Sequence, residues 1–442
     1  MKPMAKKQNH KNYHTKDEEC NFDFSTLLTY CSKNDRERFQ NKLESSPISA
    51  VLLNEALFSK EETEALFPDL VKDDDDPILY RFNKEEERMG KTIEHFGGCF
   101  YILDPSSARI SFYLQNLLKK DFVCFDMCAA PGGKTIAMDL RRRDGLYLAN
   151  DLSYDRAMEI DKNAQRMHLD NILSLSMDPM KLKVGPVFDL VIADVPCSGS
   201  GMIRKEKKMR KDWSMEKVDR LLPIQADLLD KAYDIANKDG IIAYSTCSLS
   251  VEEDEDQVRK FLRNHPDCSL IEIEMEKGMV KGKDGIGYHM IPGIYDGEGI
   301  YFALIRKNGD VEALLHPMVK LQLENGRLVF PYRNNVFLVP RMYEELSSLP
   351  YIAPGIKKLD KSEHPKCDYD HAYSKITSSV PELPLTREQA CSYIQGNELR
   401  ISDMKEDGLY VLTYQKMRLG FGKLVQSRVK NYLPKGLRGY LK

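Results

Sequence analysis

Two segments of this chain set a cysteine among small neighbours: Asp194-Val-Pro-Cys-Ser-Gly-Ser-Gly201 and Ser245-Thr-Cys-Ser248. Each closes an apolar run that reads as a strand, FDLVIAD over 188–194 and GIIAYST over 240–246. Parallel strands would bring their carboxyl ends to one rim of a sheet, so Cys197 and Cys247 are expected to face one pocket. A buried cysteine is most often an inert small hydrophobe, and that reading holds for Cys20, Cys31, Cys99, Cys124, Cys268, Cys367 and Cys391. Two thiols on one rim are unusual, and a thiol and an acid beside a methyl donor would suit pyrimidine chemistry. Carbon 5 of cytosine is too weak a nucleophile to accept a methyl group directly. Attack of a thiolate on carbon 6, with a proton or hydrogen bond at ring nitrogen 3, makes carbon 5 enamine-like. Asp194 is the natural group for nitrogen 3 if it is protonated or shares a proton, and Lys134 for the carbonyl side of the base. A base must then take the carbon 5 proton so that the thiol can leave. An enzyme methylating an exocyclic amine would more typically carry an Asn/Asp-Pro-Pro-aromatic loop where this chain has DVPC.

The methyl donor needs a site of its own, and Asp126-Met-Cys-Ala-Ala-Pro-Gly-Gly-Lys-Thr135 supplies a glycine turn between a strand and a helix. The GGKT ending invites comparison with a phosphate-binding loop, but that pattern needs glycine where Cys128 stands. A second strand ends in Asn150-Asp151, where a carboxylate can accept both hydroxyls of a ribose, and a third ends near Asp178, suited to an adenine edge. A ribose-bearing cofactor without a phosphate cradle points to S-adenosylmethionine. Ser250 and Glu253 read as a capping box opening a helix from Val251, with the acids Glu252 to Asp256 at its positive end and no catalytic part.

The elements that must position these residues follow from the alternation of short apolar runs with amphipathic segments after Asp121. Strands are expected at FVCFD (122–126), LYLAN (146–150) and ILSLS (172–176), besides the two above. Helices are expected at KTIAMDLRR, YDRAMEIDKNAQRM and PIQADLLDKAYDIANK, the last opening at Pro223 in its first turn. SLIEIE and IYFALIRK would add edge strands. Helical spacing over Phe22 to Phe67 indicates a small N-terminal unit, Asp73 to Asp76 before Pro77 a loop, and RLVFPY, NVFLVP and LYVLTY a separate β-containing C-terminal domain. Residues 350–380, rich in Pro, Lys and Ser, read as a linker or long loop.

At 442 residues the chain has room for two or three domains, and 30% charged against 42% apolar residues excludes collagenous, wholly disordered and membrane classes. The polar start and the absence of a long apolar run favour a cytoplasmic address with no membrane association. Ten cysteines without a C-x-x-C pair give no support for a disulfide scaffold or a metal site. Net charge is only −3, yet Arg204 to Lys211 holds six bases to one acid. Val411 to Lys442 holds eight bases and no acid, interleaved with Tyr414, Phe421, Tyr432 and Tyr440. Bases pair with phosphates and rings stack on unpaired bases, which is how single-stranded RNA is held, and a solvated face with core tyrosines fits the same residues equally well.

Taken together, DMCAAPGGKT, DVPCSGSGMIRK and STCSLSVEEDE resemble the Sun-type RNA cytosine-5 methyltransferase family, and GGCFYILDPSS and IPGIYDGEGIYFALIRK extend the likeness over roughly 96–308. The resemblance implies an α/β fold with a Rossmann-like methyltransferase core, flanked by RNA-binding domains. It divides the chain into a polar tail (1–18), an N-terminal RNA-contacting domain (19–95), the core (96–308) and a C-terminal RNA-binding domain (309–442). It implies that Cys247 attacks and Cys197 assists release of the methylated base. The cofactor loop would be Cys128, Ala129, Ala130, Pro131, Gly132, Gly133 and Lys134, with Asp151, Asp178 and Asp194 as further ligands. The family's Tyr-x-Gln-Glu/Asp is here Tyr101-Ile-Leu-Asp104, and its Arg-x-Asn is here Leu52-Leu53-Asn54. The ending KMRLGFGKLVQSRVKNYLPKGLRGY is similar to the RNA-binding region of the bacterial branch acting on ribosomal RNA. Expected substrates are therefore ribosomal RNA or an immature ribosomal subunit, methylated by a monomer, with transfer RNA or a non-catalytic assembly role as alternatives.

Overall fold

The computed structural model describes residues 22–83, 88–309, 317–324, 326–358, 380–401 and 406–441. The polar tail over 1–18 lies outside the described residues, as does most of the linker over 350–380.

The N-terminal unit begins with helix α1 (Lys33–Lys42), whose first turn is capped by the Ser32 side chain on Asp35 N. Strands β1 (Ile48–Leu53), β2 (Val71–Lys72), β3 (Leu79–Asn83) and β4 (Phe100–Leu103) form an antiparallel sheet of order β2-β3-β1-β4, and helix α2 (Lys60–Leu66) carries a complete Ser59/Glu62 capping box. The acidic run before Pro77 is a loop, as expected, but two of its carboxylates are buried. Asp73 pairs with Arg109 at 3.0 Å, and Asp76 accepts from Arg141 at 2.9 Å. Asn54 is likewise buried, donating to Met167 O at 2.8 Å and accepting from Arg143, so it ties this unit to the core.

The core is the expected Rossmann-like sheet. Strands β5 (Val123–Asp126), β6 (Leu146–Asp151), β7 (Ile172–Ser176), β8 (Phe188–Asp194) and β9 (Ala236–Thr246) are parallel. They are flanked by β10 (Cys268–Leu270), β11 (Met279–Lys281), β12 (Tyr288–Met290) and β13 (Ile300–Lys307), the main path running β11-β12-β13-β9-β8-β5-β6-β7. IYFALIRK is thus not an edge: β13 pairs with β9 on one side and with β10 and β12 on the other, which explains its continuous burial from Ile300 to Ile305. Helices α4 (Pro105–Leu114), α5 (Gly133–Arg141), α6 (Tyr154–Arg166), α8 (Met215–Ile235) and α9 (Glu255–Asn264) cover the sheet; the short α3 (Ile93–Phe96) and α7 (Lys207–Asp212) lie in the connections.

Helix α8 corrects the sequence reading at both ends. It starts at Met215, capped by the Ser214 side chain on Lys217 N, and Pro223 falls inside it. Pro223 is exposed, so the carbonyl it leaves without an intrahelical donor faces water, and the usual penalty for an interior proline is softened. At the other end Ala236 pairs with Phe188, which captures the chain as strand before Lys238 can extend the helix.

Beyond Lys307 there are two β units. Strands β14 (Leu323–Glu324), β15 (Arg327–Tyr332), β16 (Asn335–Val339) and β18 (Ile356–Lys357) form one sheet, while β17 (Tyr351–Ala353) adds to the edge of β7. Phe330, Phe337, Val339 and Tyr351 share one apolar cluster with Phe125 and Val191 of the core. The second sheet, β19 (Glu382–Pro384), β20 (Leu399–Arg400), β21 (Gly408–Tyr414), β22 (Met417–Val425) and β23 (Arg428–Asn431), has order β19-β21-β22-β23-β20. It packs on the N-terminal unit instead: Leu383, Leu412, Met417 and Leu424 join Ala50, Leu52 and Phe100 in another cluster.

Candidate active site

The ends of β5, β8 and β9 open on a cleft of about 440 Å³. Its floor is the turn from β5 into α5, in which Gly132 takes a left-handed φ of 107° that a β-carbon would strain, and the space beside Gly133 is open. Asn150 fixes this turn. Its amide donates to Met127 O and Met177 O and accepts from Met177 N, each at 3.0 Å, binding three strand ends with one side chain. Asp126 is wholly buried; Thr135 donates to one of its oxygens at 2.6 Å and, among the described residues, the other has no hydrogen-bond partner. Burial pushes its pKa up to about 7 against that hydrogen bond.

Ala129, Ala130, Pro131, Gly133, Lys134, Asp194 and Cys247 line the cleft. Lys134 reaches from the first turn of α5 to Asp194 at 2.6 Å, and the other Asp194 oxygen accepts from Ser245 at 2.7 Å. Burial alone would lower the Lys134 pKa, but Asp194, Asp126 and Cys247 outweigh it and hold the ammonium above its usual range. Cys128, Gly132, Asp151 and Asp178 are not in the cleft wall. Asp151 is buried at the end of β6, accepting from Ser153 N, with Arg156 at 3.4 Å. Asp178 caps the turn Pro179–Lys181 through Met180 N. The Cys128 thiol is pushed up to about 12 by burial and the surrounding carboxylates, so it stays protonated.

The two thiols meet. Cys197 Sγ lies 3.1 Å from Cys247 Sγ, and only Cys247 faces the cleft. The hydrogen bond to Cys247, then burial, raises the Cys197 pKa well above the ordinary thiol range, so Cys197 is the sulfur that keeps its proton. The loops carrying them are stitched by Gly201 N to Cys247 O at 2.8 Å and by Gly299 N to Gly201 O at 2.9 Å. A β-carbon on Gly201 would strike the Gly299 backbone at 2.3 Å.

Glu253 corrects the capping-box reading. Helix α9 starts only at Glu255, and the wholly buried Glu253 carboxylate turns inward. Four donors converge on it: Ser198 N at 2.8 Å, Ser198 Oγ at 2.5 Å, Ser248 Oγ at 2.6 Å and Gln225 Nε2 at 2.9 Å. A charge-assisted set of this size outcompetes a single cap bond. Because Ser198 follows Cys197 and Ser248 follows Cys247, this one carboxylate clasps both thiol loops. Asp254 and Glu255 are buried as well, against Thr246 and His289.

Residues 113–306 match the family described as 16S rRNA methyltransferase RsmB/F, and residues 380–439 match the methyltransferase RsmF PUA domain. The core is thus similar to the RsmB/F methyltransferases. Ribosomal RNA small subunit methyltransferase F of Aeromonas salmonicida (strain A449) is 28% identical over 390 residues, 80% of this chain and 82% of that protein. The protein of the same name from Vibrio cholerae serotype O1 (strain M66-2) is 29% identical over 388 residues, 79% and 81% of the two chains. Among solved structures, NSun6 from Pyrococcus horikoshii with SFG has a TM-score of 0.56 at 18% identity, covering 65% of this chain and 98% of that one. A methyltransferase homolog protein from the same organism scores 0.55 at 24% identity, covering 64% and 94%. These two show the fold. The protein is an S-adenosylmethionine-dependent RNA methyltransferase with a PUA domain after its core. The cleft fits that donor: the orphaned Asp126 oxygen can accept from its ammonium group, and the glycine turn leaves room beside the backbone.

The PUA domain revises the basic C-terminal stretch in detail. Phe421 is core, and Arg418 is spent on Glu382 at 2.7 Å. Lys423 and Lys430, directly opposed on β22 and β23, are both exposed. Of the other basic run, Arg204 is buried on Glu298 at 2.9 Å, whereas Lys205 lines the cleft. Among the described residues no helix is long and apolar enough to cross a membrane.

Proposed function

We propose that this RNA methyltransferase transfers the methyl group to carbon 5 of a cytosine in small-subunit ribosomal RNA, through a bond between Cys247 and carbon 6. The reading rests on one observation: two half-buried sulfurs in contact at the cleft, of which Cys247 lines the cleft and Cys197 lies behind it with its thiol pKa raised. Bound S-adenosylmethionine supplies an electrophilic methyl group. Asp151 would hold its ribose and Asp178 would take its adenine side, both from strand ends next to the cleft rather than in its wall.

The Cys247 thiolate adds to carbon 6, and the displaced electron pair builds up on carbon 5. The proton for the base is the one Lys134 holds in its ion pair with Asp194: as charge builds on the ring, Lys134 passes it through Asp194 to nitrogen 3 and keeps its remaining N–H groups for the carbonyl oxygen. Carbon 5 takes the methyl group as the sulfonium S–CH3 bond breaks, its electron pair returning to sulfur and S-adenosylhomocysteine leaving. Its proton then leaves to a base, the C–H electrons restore the ring double bond, and the bond from sulfur to carbon 6 breaks. Cys197 assists that last step by donating to the departing thiolate. A target base must leave its stack to reach Cys247, so loops or an immature subunit are the substrate, met by a monomer in the cytoplasm.

The test is incubation with small subunits from cells lacking the enzyme and S-adenosylmethionine labelled on its methyl group, followed by nucleoside digestion. Label is expected in 5-methylcytidine of the ribosomal RNA. Label in another nucleoside, or in transfer RNA alone under the same conditions, overturns the proposal, as does tight RNA binding with no label at all.

A further inference from the structure

A second cavity, of about 660 Å³, lies beside the cleft, between α3, α6 and the last residues of the PUA domain. It is separated from the cleft by a thin wall, since Tyr101, Ile102 and Pro131 line both. Its apolar sides come from Phe96, Leu437 and the Tyr440 ring. Tyr440 is stacked on His95 with centroids 5.9 Å apart and planes inclined by 15°. Burial, then the nearby Arg166, lowers the His95 pKa to about 3, so this stack is neutral. Positive charge sits beside it on α6, where Lys162 and Arg166, one turn apart, share a face; Lys162 is exposed.

We infer that this cavity is a subsite for the nucleotide adjacent to the target cytosine, its base lying against the Tyr440 and Phe96 side and its phosphate toward Lys162. The inference rests on the RNA reading above and adds to it a place on the protein. Swinging a base out of its stack strips its neighbour of a stacking partner, and a flat apolar slot next to the reactive cleft restores one. A strand running from the C-terminal segment toward Cys247 passes this junction, because Pro434, Leu437 and Tyr440 line the cavity on one side while Tyr101, Ile102 and Pro131 are shared with the cleft that holds Cys247. A protein segment or a second copy of the chain would gain less from a wall shared with the cleft and from the two cations of α6.

Two measurements test the inference. In the first, a single-stranded oligoribonucleotide carrying 4-thiouridine beside a cytidine is irradiated with the intact protein and the adduct mapped by mass spectrometry. Crosslinks are expected at Tyr440, Phe96 or Leu437. Adducts confined to other regions overturn the subsite, and this readout needs no turnover, so it stands apart from the assignment of the methylated atom. In the second, Tyr440→Ala and Lys162→Glu are expected to raise KM for small subunits about tenfold and a few-fold, with the larger effect on KM than on kcat and S-adenosylmethionine affinity unchanged. Tyr440→Phe, which keeps the ring, is expected to restore KM. Unchanged KM in both disruptive variants overturns the inference. So does a Leu437→Asp protein that loses self-association yet binds RNA normally, which would mark the cavity as a contact between copies.

Discussion

Cys197 and Cys247, fifty residues apart in the chain, hold their sulfurs at 3.1 Å because neighbouring parallel strands end at the same height. Their places are unequal, since only Cys247 lines the cleft and Cys197 lies behind it. Cys247→Ala is expected to abolish both turnover and covalent RNA adduct. Cys197→Ala should retain attack but lose assisted release, so an adduct stable on denaturing gels accumulates while kcat falls at least about a hundredfold. The reverse pattern of adducts would exchange the two assignments.

Glu253 predicts a different phenotype. Glu253→Gln keeps the shape but sets an amide nitrogen against donors that need acceptors, and hydrogen bonds to a charged group contribute about 1.5–3 kcal/mol each. Melting temperature should drop by several degrees and kcat by one to two orders of magnitude, while calorimetric affinity for S-adenosylmethionine stays the same. Full activity in this variant would show that the thiol loops hold their places without the clasp.

Asp126 gives a pH dependence of known sign. Its pKa is raised by burial from 3.8 to about 7 in the folded protein, so the folded state keeps a proton that the unfolded chain releases above about pH 4. Its favourable contribution is complete below pH 4 and lost as pH rises through 7, a change of roughly 4 kcal/mol at most. Asp126→Asn removes this loss. Without cofactor, the variant should gain stability relative to the parent between pH 5 and 8 in chemical denaturation. A parallel pair of curves would refute the buried-acid argument.

The opposed Lys423 and Lys430 repel each other across β22 and β23, a placement that costs stability unless an anion sits between them. Reversing both to Glu should weaken RNA binding at least tenfold and reduce the slope of log affinity against log salt by about two. An unchanged slope would move the phosphate contacts elsewhere on the PUA domain.

The strands of the core and the meeting of the two thiols were legible in the sequence because each strand is short, apolar and followed at once by a polar or glycine-rich turn. What escaped was anything decided by distant partners. Glu253 sits where a capping box would place it, and only the fold reveals the Ser198, Ser248 and Gln225 donors that take it away. Pro223 reads as a helix start from local rules, yet water on its exposed face lets α8 run through it. Phe421 looks like a ring among bases until β21 and β22 pair and bury it.

The cluster joining Ala50, Leu52 and Phe100 to Leu383, Leu412 and Met417 spans nearly the whole chain. During synthesis the N-terminal half of that cluster emerges first and waits tens of seconds, at roughly 5–20 residues per second, for the half that covers it. A newborn polypeptide therefore displays oily surface until the segment from Leu383 to Leu424 clears the exit tunnel, and a transcript cut short before Leu383 yields a product that lacks this cover.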